Sequence, residues 1–162
     1  MRRMLAAAAT VLVLMACGSD GPTGPDGNSN NSMEATVGGQ PFDPPALAVQ
    51  GSFSNNVFAI SGAHTTGGVT TTVTLTILGL DSEGEYPINP NFAGQFGQVS
   101  TSVGQTTSVW TTVLSPGTGV VDITTFNADR IAGTFQFTGQ AAPGTAATGQ
   151  KMVTSGQFNF KR

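Results

Sequence analysis

The chain has little charge, one cysteine and one histidine. Of its 162 residues, six are basic and nine acidic, for a net charge of −3. So few cations cannot build the clustered positive surface that phosphate backbones require, which excludes nucleic acid as a partner. A single Cys rules out an internal disulfide, and one His with one Cys cannot form a zinc site from those two residue types. Helical stripes of ten or more residues are missing beyond the N-terminal segment, which argues against a bundle or coiled coil. Long apolar runs are missing as well. The longest, Leu5 to Ala16 with only Thr10 polar, falls short of the roughly 20 residues that span a bilayer. What the chain does have is 22 Gly, 9 Pro, 10 Phe and many Thr.

Arg2 and Arg3 precede the apolar run, and Cys17 ends it. A positive start followed by a short greasy stretch reads as a signal peptide covering residues 1–16. Its end, Leu14-Met15-Ala16-Cys17, resembles the lipobox of bacterial lipoproteins. The resemblance implies cleavage between Ala16 and Cys17, a diacylglycerol on the Cys17 sulfur and an acyl chain such as palmitate on the new amine. A thiolate is the nucleophile that lipid transfer needs, and two or three chains anchor far more firmly than one. Cleavage leaves Arg130, Lys151, Lys161 and Arg162 against nine carboxylates. Such an acidic body is not attracted to anionic lipid, so the acyl chains must provide the attachment. The expected location is the cell envelope, on the outer membrane where the cell has one, since Gly18 and not Asp follows the cysteine.

Residues 17–32 then form a lipidated Cys and a Gly/Pro/Asn/Ser tether without apolar side chains other than proline. Such a segment cannot build a core, and as a flexible coil it reaches roughly 20 Å. From Met33 to the end the pattern changes. Thr70 to Leu78 alternates Val73, Leu75 and Ile77 with Thr72, Thr74 and Thr76, the period of a half-buried strand. Related runs lie at Ala35–Val37, Val57–Ser61, Tyr86–Ile88, Val99–Val103, Ser108–Leu114, Val120–Phe126, Ile131–Thr138 and Lys151–Lys161. Turn clusters such as Gly67-Gly68, Pro116-Gly117 and Pro143-Gly144 separate them. The fold class is therefore all-β, an antiparallel sandwich or flattened barrel of about eight or nine strands. Phe42, Phe58, Ile60, Phe126, Phe135, Phe137, Phe158 and Phe160 are the expected core anchors. A transmembrane barrel is disfavoured, because one face of every strand is too rich in hydroxyls for lipid.

Several segments carry a family likeness: Ala35-Thr36-Val37-Gly38-Gly39-Gln40-Pro41-Phe42, Ile131-Ala132-Gly133-Thr134-Phe135-Gln136-Phe137 and Gly156-Gln157-Phe158. With them the β-region resembles a family of small bacterial lipoproteins of unknown function. The likeness rests on strand and turn residues. It implies a shared β-fold and carries over no catalytic group.

Candidate chemistry is sparse. His64 follows Ser61 by three residues, and Asp122 is a conceivable third member of a triad, but no Gly-x-Ser-x-Gly elbow is present. Asp81, Glu83 and Glu85 gather three carboxylates within five residues, a weak candidate for calcium or for a glycosidase pair. An exposed acidic hairpin explains them as well. Trp110 and Tyr86 are the weak candidates for stacking on a ligand, and the commoner fate for such a Trp is the core. No cofactor is expected. The function expected from these features is a lipid-anchored envelope protein with a non-enzymatic structural or binding role. A lipocalin-like carrier of a small apolar ligand is the alternative, and a hydrolase using His64 comes third.

Overall fold

A computed structural model describes residues 31–92 and 94–162. The expected signal peptide, the Ala16–Cys17 cleavage and lipidation site, and the tether up to residue 30 lie outside the described residues. The remainder is β-structure: β1 (Ser32–Val37), β2 (Gln40–Phe42), β3 (Val49–Ser54), β4 (Val57–Thr66), β5 (Val69–Leu78), β6 (Gly84–Pro87), β7 (Phe96–Val103), β8 (Thr106–Thr111), β9 (Thr118–Phe126), β10 (Arg130–Ala141) and β11 (Gln150–Lys161). One short 3-10 turn, Ala46–Ala48, precedes β3.

All pairings are antiparallel, in the order β2-β1-β11-β10-β8-β7-β5-β4-β3, with β9 between β10 and β6. Strand β10 makes two ladders along one edge. Ile131–Thr138 pair with β9, and Gln140 and Ala141 pair with β8. This fork folds the ladder into two layers, β2-β1-β11-β10-β9-β6 against β3-β4-β5-β7-β8. The sheet stays open, so the sandwich half of the expectation describes it and the barrel half does not.

Two more strands are present than the alternation indicated. The first, β2, is three residues long and contains Pro41, and β3 (Val-Gln-Gly-Ser-Phe-Ser) has Gly51 in place of an inward apolar residue. Neither offers a regular apolar face. The clear alternation in β5 is realised: Val73, Leu75 and Ile77 are fully buried, and the intervening threonines face out. Gly67 and Gly68, both at positive φ, make the two-residue turn that joins β4 to β5 in register.

Phenyl rings fill the space between the layers. Phe58 on β4 lies 5.5 Å from Phe158 and 5.6 Å from Phe160, and Phe135 lies 6.3 Å from Phe158. Each ring taken from water contributes about 1.5–3 kcal/mol. Phe42, Phe137 and Ile60 are also buried, while Phe126 is only partly so. Three glycines accept rings against the backbone, Gly51 under Phe160 among them. A Cβ at Gly97 would stand 2.8 Å from the Phe137 ring, and one at Gly156 would stand 2.6 Å from the Phe135 ring.

A bulge sets the inward residues of β11. Phe135 pairs with Gly156 and Phe137 with Val153, so Thr154 and Ser155 together face one residue of β10. Ser155 takes a positive φ of 51°. The extra residue reverses the alternation, so that odd-numbered Val153 and even-numbered Phe158 and Phe160 all reach the same core.

Candidate functional site

Charge is divided between the two layers. No Asp, Glu, Lys or Arg occurs from Pro44 to Leu80 or from Tyr86 to Val121. Strands β3, β4, β5, β7 and β8 lie wholly within those stretches, so an entire layer is uncharged apart from His64. Its outward face is a hydroxyl lattice. One cross-strand row runs Gln50, Ser61, Thr74, Gln98, Thr111, and another runs Ala63, Thr72, Ser100, Val109. Hydroxyls pair across strands: Ser61 with Thr74 at 3.1 Å, Thr65 with Thr70 at 2.9 Å, and Ser102 with Thr107 at 3.3 Å. These pairs are the sheet's lateral ties where other proteins use ion pairs.

The other layer is acidic on its outside. A row crosses it as Glu85, Asp122, Thr134, Gln157 and Glu34. Beside the row is a groove of about 490 Å³, walled by Asp43 to Ala46 and floored by Thr134, Gln157 and Asn159. Asn159 faces away from the core yet is only 8% exposed, and its Oδ1 is buried without a hydrogen-bond partner among the described residues. Alternation alone does not point to this residue, because its burial depends on the register that follows the bulge.

His64 and Ser61 point to opposite sides of β4, so they do not form a nucleophile and base. Ser61 bonds Thr74 on the outward face. His64 stands on the inward side, beyond the packed core, in a groove of about 460 Å³ lined by Phe42, Gln40, Thr66 and Thr71. Its Nδ1 accepts from the Asp43 N–H at 3.0 Å, and its Nε2 lies 2.9 Å from Thr66 Oγ1. With Nδ1 accepting, the neutral ring carries its proton on Nε2 and donates to Thr66. The imidazole thus ties β4 to the loop after β2. Asp122 lies on the other layer, outward on β9.

The acidic pentad does not converge. Asp81 accepts from Ser82 Oγ, Glu83 accepts from the Phe126 N–H at 3.2 Å, and Glu85 stands opposite Asp122 across β6 and β9. Among the described residues no three of His, Cys, Asp and Glu gather as metal ligands do.

Trp110 and Tyr86, the candidate stacking residues, are both engaged within the domain, as the commoner fate of such a Trp implies. Trp110 is 7% exposed, its indole N–H donates to the Thr148 carbonyl at 3.1 Å, and the Lys151 ammonium occupies one ring face at 4.2 Å. Tyr86 packs against the core and donates its hydroxyl to the Ser82 carbonyl at 2.9 Å. Lys151 was not singled out by the sequence, because Trp110 and Lys151 meet only through the joining of β8 to β10.

No curated protein and no solved structure matches the chain. A family model, the domain of unknown function DUF6252, matches residues 29–160, which takes in all eleven strands but for the last residue of β11. The chain belongs to the DUF6252 family.

Proposed function

We propose that the chain is a lipid-anchored envelope protein whose β-domain is a binding module for a neutral, hydroxyl-rich polymer such as a glycan, taken on the uncharged layer. The observation that carries this reading is the division of charge: five adjacent strands without a charged side chain, behind a surface of Thr, Ser and Gln. Burying an ion is costly unless it is paired, whereas hydroxyls and amides exchange water for sugar hydroxyls at little cost. The lipobox at Leu14–Cys17 supports the anchoring. A carrier of apolar ligands finds no such support, since the sheet is open and phenyl rings occupy the interior. Neither does a hydrolase built on Ser61 and His64, which lie on opposite faces.

Two measurements test the reading. Mass spectrometry of the mature N-terminus should find an acylated Cys17, and an unmodified thiol there would remove the anchor. Co-sedimentation with insoluble neutral polysaccharide should retain the protein even at high salt, because no ion pairs are involved. Thr72→Lys with Thr74→Lys should abolish retention without unfolding the domain. Retention by that variant, or a failure of the wild type to sediment with any neutral glycan, would end the binding proposal.

A further inference from the structure

Among the described residues the sheet has four strand edges, of which three are protected. Strand β2 is three residues long with Pro41 at its centre, and β6 is four residues long with Glu85 and Pro87. The edge of β8 is covered by the segment after β10, where the Ala142 N–H donates to the Val109 carbonyl and the Ala146 N–H to the Thr107 carbonyl. Short strands, prolines, charges and covering loops are the usual devices against edge-to-edge pairing. The fourth edge, β3, is covered among the described residues only at its first residue, where the Asn31 side-chain amide donates to the Val49 carbonyl at 3.5 Å. It is six residues long, without proline, charge or bulge, and Gln50, Gly51 and Ser52 are exposed.

The direction of its backbone groups follows from the turn. Asn55 and Asn56, with φ of 51° and 62°, make a two-residue hairpin in which Ser54 and Val57 are the closing pair. Hydrogen-bonded and non-bonded pairs then alternate along the ladder. Ser54, Ser52 and Gln50 therefore bond to β4, and Gly51 and Phe53 direct their N–H and C=O groups outward. Among the described residues nothing pairs with them.

We propose that β3 pairs antiparallel with β3 of a second copy of this chain, about a two-fold axis through Ser52. The register is self-complementary: Gly51 of each copy exchanges both backbone bonds with Phe53 of the other, and the two Ser52 side chains stand opposite each other. Such an interface is isologous and closes at two copies. Charge favours this side. Two acidic molecules repel through the layer bearing Glu34, Glu85 and Asp122, and β3 belongs to the uncharged one. Arg162, the cation nearest the edge, stacks on the Phe53 ring at 4.4 Å and so lies on the inward side. The pairing joins two five-strand layers into one continuous hydroxyl surface. Four backbone bonds make a small contact, below the area of a stable interface, so association is weak in dilute solution. The anchoring proposed above would concentrate the copies at a membrane, although the register does not depend on it.

Thiol trapping reads this register directly. The full-length chain carrying Cys17→Ser, so that an introduced thiol is the only one, is made as Ser52→Cys, as Ser54→Cys and as Gln50→Cys. Far-UV circular dichroism verifies that each variant is folded. Under mild oxidation Ser52→Cys should become a covalent dimer about tenfold faster than Ser54→Cys, because only the former places two Cβ atoms within disulfide range. Mixing Gln50→Cys with Ser54→Cys should give the mixed dimer in preference to either homodimer. Equal rates for Ser52→Cys and Ser54→Cys would overturn the proposal. So would an equal mixture of dimers, or capture of an unrelated peptide in place of a second copy.

Discussion

The Lys151 ammonium rests 4.2 Å from the centroid of the Trp110 ring, at the corner where β8 joins β10. The same indole donates to the Thr148 carbonyl, so one side chain secures both β11 and the segment leading into it. Trp110→Phe keeps much of the apolar volume but leaves that carbonyl without its donor. Chemical denaturation should show a loss of about 1–2 kcal/mol. Lys151→Met should cost less, about 0.5–1 kcal/mol, as expected for a cation over an aromatic face.

Fluorescence checks the same corner without mutation. Trp110 is the only tryptophan in the chain. Its burial predicts a blue-shifted emission that acrylamide quenches poorly in the native state. Emission typical of a water-exposed indole would place the ring outside the core.

Neighbouring residues in the β11 bulge should respond in opposite senses. Ser155 holds a positive φ of 51°, which costs a side chain about 1–2 kcal/mol and costs glycine almost nothing. Ser155→Gly should therefore raise the melting temperature. At Gly156 an added methyl would lie 2.6 Å from the Phe135 ring, and that ring is packed against Phe158. Gly156→Ala should lower stability by about 1–3 kcal/mol. Parallel thermal melts of the two variants decide the matter, and a shared sign would show the bulge to be placed elsewhere.

For His64 the checks are spectroscopic and thermodynamic. Two-dimensional nitrogen–proton spectra of the neutral ring should show the proton on Nε2. His64→Ala removes the acceptor for the Asp43 N–H and should cost about 1 kcal/mol, since that bond is exposed. Hydrogen exchange at Asp43 should accelerate in that variant while exchange in the core of β5 does not.

The legible parts of the fold were those with a two-residue period. Thr70–Leu78 declared both its strand and its buried face, and Phe135 and Phe137 likewise. Strand β3 was hidden because Gly51 interrupts its apolar positions, and β2 because three residues are too few for a period. The reversal at Ser155 leaves no trace in composition, so the burial of Asn159 could not be read from alternation. For the candidate site, Ser61 and His64 are three apart in sequence, which on a strand puts them on opposite faces. The separation of charge could be counted from the sequence, but only the strand order shows that the uncharged segments are neighbours. Nothing along the chain indicated that Trp110 would meet Lys151.

Because β10 takes part in both layers, the sandwich is stitched along one side by its own backbone. Sliding one layer over the other would first have to tear the pairing at Gln140 and Ala141. Resistance to mechanical shear is thus concentrated along this seam, from Gln140 and Ala141 through the bonds of Ala142 and Ala146 to β8, and a pulling force that parts the layers should meet its main barrier there and not among the phenyl rings.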